Sequence, residues 1–273
     1  MRLKKTGNYL LVVFVVISHL ARAQFRQAAQ WTDDGNAIYQ NREGAIVKTN
    51  IKTQVETTVI SKALLTTATG KTLTPAAFAF NSDKTKLLVF TNTVKVWRYN
   101  TKGDYWVLNI AARKLVQLGK SKAPQSLMYA KFSPDGKNVA YVTGHNLFTE
   151  NIGTGAIAQL TFDGSRKLIN GTFDWVYEEE FGCRDGFRWN PDGTSITYWQ
   201  VDANKIMDYF MLNTTDSNYS QVIPVEYPKV GEAPSPVKIG VVSVKGPLPN
   251  GWPYPETRSS TTFHGWNGAV QAL

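Results

Sequence analysis

F-S-P-D-G-K-N-V-A-Y-V, residues Phe132 to Val142, reads as the end of one strand, a tight Asp-Gly turn and the start of a second strand. The same order of an aromatic, two small or polar residues, an Asp with a turn residue, and an alternating apolar run recurs three more times. The copies begin at Trp31 (W-T-D-D-G-N-A-I-Y), Phe80 (F-N-S-D-K-T-K-L-L-V-F) and Trp189 (W-N-P-D-G-T-S-I-T-Y-W). A period of roughly 50 residues is that of a four-stranded propeller blade. Between the copies, Tyr105 to Ile110 with Lys114 to Leu118 is predicted to form one outer strand pair. Asn146 to Ile152 with Ala156 to Thr161 forms another around a Gly153-Thr154-Gly155 turn. No long amphipathic helical pattern occurs, which excludes a doubly wound sheet. The expected fold is all-β, a partial β-propeller of about four blades.

The chain has 273 residues, 42% hydrophobic and 12% aromatic, enough to bury a large core and too apolar for general disorder. Its formal charge of +9 is concentrated in part at the N-terminus, where Arg2, Lys4 and Lys5 precede the apolar run Leu10 to Ile17 and the A-x-A signal Ala21-Arg22-Ala23. Residues 1–23 therefore read as a secretory signal peptide cleaved after Ala23, giving an exported protein, periplasmic or extracellular in a bacterium. The apolar run is well short of the ~20 residues that span a bilayer, so no stable membrane span is expected after cleavage. Removing that segment lowers the charge to +5, and the remaining Lys and Arg are scattered, which argues against nucleic acid as a partner. Cys183 is the single cysteine, so neither an internal disulfide nor a cysteine-based metal site is possible. With no HExxH motif, EF-hand loop or Gly-rich phosphate loop, no metal or cofactor is expected. Sequons stand at Asn170, Asn213 and Asn218.

D-W-V-Y-E-E-E-F, Asp174 to Phe181, sets three consecutive carboxylates behind two aromatic residues in a basic chain. Like charges this close disfavour one another's ionisation unless a cation offsets them. Trp175, Val176 and Tyr177 are suited to anchor the segment on a core, and Trp97-Arg98 offers a guanidinium in an equally aromatic setting.

At these residues the sequence resembles the dipeptidyl peptidase IV family of the prolyl oligopeptidase clan. The motifs are V-K-V-W-R (Val94 to Arg98), F-S-P-D-G (Phe132 to Gly136), and the acidic run with its continuation G-C-R-D-G-F-R-W-N-P-D-G (Gly182 to Gly193). They continue with Y-W-Q-V-D (Tyr198 to Asp202) and V-E-Y-P-K-V-G-E-A-P-S-P-V-K (Val225 to Lys238), so the likeness covers about residues 30 to 245. The resemblance implies an eight-bladed propeller, of which residues 24–246 form roughly half, followed in the family by an α/β-hydrolase domain that this chain lacks. It implies a homodimeric parent that removes Xaa-Pro or Xaa-Ala dipeptides from peptides with a free amino terminus. Glu179 and Glu180 match the double-Glu site that receives the substrate ammonium, and Arg98 matches the arginine that contacts the first peptide carbonyl. Glu178 is expected to be oriented elsewhere. The tail, Pro247 to Leu273, has no alternation and is rich in Pro and Gly where the family continues with a strand. A shifted reading frame can encode a family-like continuation there, so residues 247–273 are read as frameshifted.

Nucleophilic catalysis needs a Ser on a strained strand-to-helix turn with a His base and an orienting acid. No G-x-S-x-G occurs, and of three histidines His19 lies in the leader, His264 in the tail and His145 in a predicted hairpin. No catalytic residue is assigned. Two functions remain open: the substrate-recognition propeller of an exported serine dipeptidyl peptidase, inactive alone, or a non-catalytic envelope propeller that binds peptides or protein partners.

Overall fold

The computed structural model describes residues 29–244; the expected signal peptide, 1–23, and the tail read as frameshifted, 247–273, lie outside these residues. Two compact units divide at Lys62. In the first, β1 (Gln30–Trp31), β2 (Ala37–Arg42), β3 (Ala45–Asn50) and β4 (Glu56–Ile60) make an antiparallel meander. The second carries three further strand groups. The first two of these are β5 (Ala77–Phe80), β6 (Lys86–Lys95), β7 (Asn100–Asn109) and β8 (Lys114–Gln117), then β9 (Leu127–Phe132), β10 (Asn138–Thr143), β11 (Asn146–Asn151) and β12 (Ile157–Gln159). The last group contains β13 (Leu168–Asn170), a one-turn helix α1 (Trp175–Glu179), β14 (Phe187–Trp189) and β15 (Ser195–Asp202), followed by β16 (Asp208–Asn213), β17 (Gln221–Glu226) and β18 (Val237–Ser243). The chain is a partial β-propeller, as the repeats require.

Each repeat is a hairpin: β1 with β2, β5 with β6, β9 with β10 and β14 with β15. One local device builds all four. In the third, Ser133 Oγ donates to Asp135 Oδ1 at 2.6 Å and accepts from the Asn138 N–H at 2.9 Å, while Asp135 Oδ1 accepts from the Lys137 N–H at 3.0 Å. The Asp carboxylate thus replaces strand partners that the turn has removed. These bonds favour the ionised form and hold Asp135 below the usual carboxylate range; their counterparts from Thr32 and Asn36 take Asp34 down to about 2. The next residue must turn with φ near +60°, and Gly35, Gly136 and Gly193 do so. Lys84 holds the same place in the second copy at φ 56°.

The core follows from alternation along β10, which is buried on both faces. Val139 and Tyr141 pack with Leu88, Val107, Leu127 and Phe148, whereas Ala140 and Val142 pack with Leu147, Phe187 and Ile196. Adjacent residues of a strand point to opposite faces, so one six-residue strand joins the cores of three strand groups.

Two departures from a regular blade position the site. First, β6 and β7 run ten residues each, beyond the reach of β8, which pairs only with Trp106 to Asn109. The overhang pairs instead with β9, Lys102 opposite Met128 and Gly103 opposite Leu127, so the second and third groups share one eight-stranded sheet. Only glycine fits at 103, since a Cβ there would lie 2.6 Å from Phe90 Cε2 and 2.7 Å from the Thr91 carbonyl oxygen. Second, β13 and β14 lie in sequence along the same edge of β15, while β18 covers the other edge. Residues 171–186 are therefore an excursion from that edge. Its neck is closed by Gly171 N–H to Trp199 O, Trp199 N–H to Gly186 O and Gly186 N–H to Gly171 O. A Cβ at Gly186 would sit 2.9 Å from the Gly171 carbonyl carbon, so the neck closes only around glycine.

The ribbon β16–β17 stands apart as a two-stranded sheet, with Phe210, Met211, Leu212 and Val222 exposed. Asp208 and Glu226 face each other across its base. Arg166 forms a two-pronged pair with Asp208 at 3.0 and 3.1 Å and also binds Glu226, and Lys167 reaches Asp208 at 3.1 Å. These cations offset the repulsion of two carboxylates set directly opposite.

Candidate functional site

The excursion from the β15 edge folds its centre into α1. Asp174 is the N-cap, accepting from the Tyr177 N–H at 3.2 Å. Its other oxygen accepts from Ser235 Oγ at 2.5 Å, and Tyr177 OH donates to the Ser235 carbonyl at 2.9 Å. Burial raises the Asp174 pKa, with the Ser235 and backbone hydrogen bonds opposing it. Trp175 packs on Tyr227 with ring centroids 4.2 Å apart, Tyr177 lies between Phe173 and Phe181, and Val176 is buried. The aromatic residues thus anchor the acidic run, which leaves its carboxylates at successive positions around one helical turn.

Those positions separate the three glutamates. Glu178 is buried, 3.9 Å from Arg184 Nε, and does not share the Arg98 pair. Burial pushes its pKa up; Arg184 opposes this and Glu179 adds to it. Glu179 has a buried side chain, 3% exposed, whose Oε2 is paired with Nε of Arg98. Glu180, the helix C-cap, is exposed. Arg98 occupies the tip of the β6–β7 hairpin, closed by the Val96 N–H to Tyr99 carbonyl bond at 3.1 Å, and its own side chain is 75% exposed. Of the three residues assigned from sequence, the structure joins Arg98 to Glu179 and sets Glu180 one position further on in solvent.

Three neighbours were not singled out in the sequence. Arg184 lies over the Tyr99 ring, 3.8 Å from its centroid. Tyr129 has φ 54°, a backbone rarely taken by a bulky residue, in the irregularity where β9 loses register against β10. Its hydroxyl pKa is raised by burial first, with Glu178 and Asp185 adding, while Thr101 and Arg184 oppose. Lys131, two residues on, bonds Asp185 at 2.5 Å and lies 3.4 Å from the Phe187 ring centroid; burial brings its pKa down to about 8 against the pull of Asp185. Arg184 was visible as a cation six residues after Glu178, but its partner is fixed only by the fold. Nothing in the sequence marks Tyr129.

Five buried side-chain polar atoms among the described residues lack a well-formed hydrogen bond. They are Thr101 Oγ1, Tyr129 OH, Glu178 Oε1, Glu179 Oε1 and Arg184 Nε. All belong to the overhanging hairpin, the β9 irregularity or the acidic excursion. Folded proteins leave few such groups, and their gathering at one place marks a polar site with hydrogen-bonding capacity in reserve.

A model of the dipeptidyl peptidase IV (DPP IV) N-terminal region matches residues 81–262, and the chain belongs to this family. The probable dipeptidyl-aminopeptidase B of Emericella nidulans is 28% identical over 179 residues, 61% of this chain and 20% of that protein. Dipeptidyl peptidase 4 of Trichophyton tonsurans is 28% identical over 250 residues, 87% of this chain and 31% of its own length. The crystal structure of Porphyromonas gingivalis dipeptidyl peptidase 4 superposes with a TM-score of 0.74 at 26% identity, covering 85% of this chain and 33% of that one. The chain spans a fifth to a third of the length of the curated relatives it matches.

Proposed function

We propose that this chain is the substrate-recognition part of an exported serine dipeptidyl peptidase that removes Xaa-Pro or Xaa-Ala dipeptides. In this reading Glu179 and Glu180 receive the peptide ammonium and Arg98 contacts the first peptide carbonyl. The observation that supports it is the state of Glu179. One oxygen of a buried carboxylate is held by the Arg98 guanidinium, and the other, Oε1, is an acceptor without a bond. An ammonium has three donors, and anionic acceptors held in place offset the loss of its hydration. Glu180 adds a second carboxylate one residue away. Chemistry belongs to the remainder of the parent protein.

The test is calorimetric titration of the chain with Ala-Pro amide and with N-acetyl-Ala-Pro amide. Binding of the free amine, weakened at least about tenfold by acetylation, is expected, because acetylation removes the charge that the carboxylates complement. Equal binding of the two ligands overturns the amino-terminus reading.

Export with cleavage after Ala23 and homodimerisation complete the proposal. The dimer is supported by the apolar side chains exposed on both strands of the β16–β17 ribbon, a patch of the kind that marks association surfaces. Among the described residues no helix is long and apolar enough to cross a membrane. Native mass spectrometry of protein recovered from outside the cytoplasm reads both points. A polypeptide beginning at Gln24 and a two-chain mass that Phe210→Glu reduces to one chain are expected; an intact leader or a monomer refutes the respective part.

A further inference from the structure

Arg184 stands between the two halves of the site. Its guanidinium carbon is 3.8 Å from the ring centroid of Tyr99, the residue after Arg98. Its Nε is 3.9 Å from Oε1 of Glu178, the residue before Glu179. The two side chains that meet in the site are therefore each one position away from a residue that Arg184 holds.

We propose that Arg184 is a positioning residue that clamps the tip of the β6–β7 hairpin onto the acidic turn, and so fixes where Arg98 stands against Glu179. The tip needs such a device. Residues 96–99 lie beyond the ladder of β6 with β7, and the Arg98 side chain is mostly in solvent. An ion pair with one exposed member holds a long side chain weakly, because water and salt compete for it. Arg184 is better placed to hold the tip, with a side chain only 30% exposed. A planar guanidinium can stack on an aromatic face while presenting its charge to a carboxylate, and a lysine ammonium cannot do both with one geometry. The arrangement also serves Glu178, whose buried carboxylate is opposed in its desolvation by this same cation. The clamp is a property of the fold; only its effect on peptide selectivity rests on the amino-terminus reading above.

Hydrogen exchange of segment 94–100 in the full chain tests the clamp, with free-amine and acetylated Ala-Pro amide titrated in parallel. In Arg184→Ala and in Tyr99→Leu, exchange in this segment is expected to quicken by about tenfold, the scale of one stacked cation. Arg184→Lys restores part of the protection, and β10 exchanges as before. Affinity for the free-amine ligand falls with the loosened tip by more than affinity for the acetylated ligand, which keeps the carbonyl for Arg98 but has no ammonium for Glu179, a selectivity change that general loss of structure does not produce. Unchanged exchange in the folded Arg184→Ala protein overturns the clamp, as does an affinity loss equal for both ligands. Should Arg184→Ala not fold, Tyr99→Leu decides by the same readings. A wild-type chain that binds neither ligand refutes the amino-terminus reading, and the exchange data still decide the role of Arg184.

Discussion

Glu179→Ala is expected to lower the affinity of the chain for Ala-Pro amide by about 100-fold, since a hydrogen bond to a charged group contributes about 1.5–3 kcal/mol. The same change releases Arg98, whose Nε bond to Glu179 is its anchor in the site. Glu180→Ala is expected to do less, because an exposed carboxylate is hydrated whether or not the ligand is present. Acetylating the ligand and truncating Glu179 remove the same interaction, so the two losses together are smaller than their sum. Titration of the wild type and both variants with both ligands measures this directly. Wild-type affinity in Glu179→Ala removes this residue from the site.

The largest stability effect is expected at Phe187. It is fully buried, packs with Ala140, Val142, Leu147 and Ile196, and carries the Lys131 ammonium over its ring. Phe187→Ala is expected to cost about 3–5 kcal/mol, the range for emptying a core aromatic site. Chemical denaturation of the two proteins gives the difference from the shift in midpoint at constant slope. Because Phe187 follows Gly186 at the neck of the excursion, the variant is also expected to weaken peptide binding beyond the loss in Glu180→Ala. A cost below about 1 kcal/mol would place Phe187 outside the core.

The four hairpins were legible in the sequence because their cause is local. A Ser, Thr or Asn side chain, an Asp two residues on and a residue able to take positive φ make the same turn wherever they occur. Even there, Lys84 shows that the backbone demand can be met without glycine. The pairing of Arg98 with Glu179 could be anticipated from charge and from family likeness. What the sequence did not reveal depends on contacts between distant segments. The sequence marks the strand at Tyr105 but not its start at Asn100, because the overhang is supported by β9 rather than by its own blade. The left-handed Tyr129 and the Arg184 stack arise only once three strand groups are docked. The separation of Glu178 from Glu179, by contrast, was expected from the family likeness, and the local Asp174 cap accounts for it by setting the turn of helix and hence the direction of each carboxylate.

The shared eight-stranded sheet has a consequence for timing. Arg98 and Glu179 are about eighty residues apart in the chain, and between them lies all of the third strand group, on which the hairpin overhang is paired. Contacts of such separation form late, after loop closure has been offset by intervening structure. At roughly 5–20 residues per second of synthesis, the hairpin waits several seconds for its acidic partner to be made. A nascent chain therefore exposes Arg98 long before Glu179 exists, and the pair between them forms only when the excursion from β15 docks.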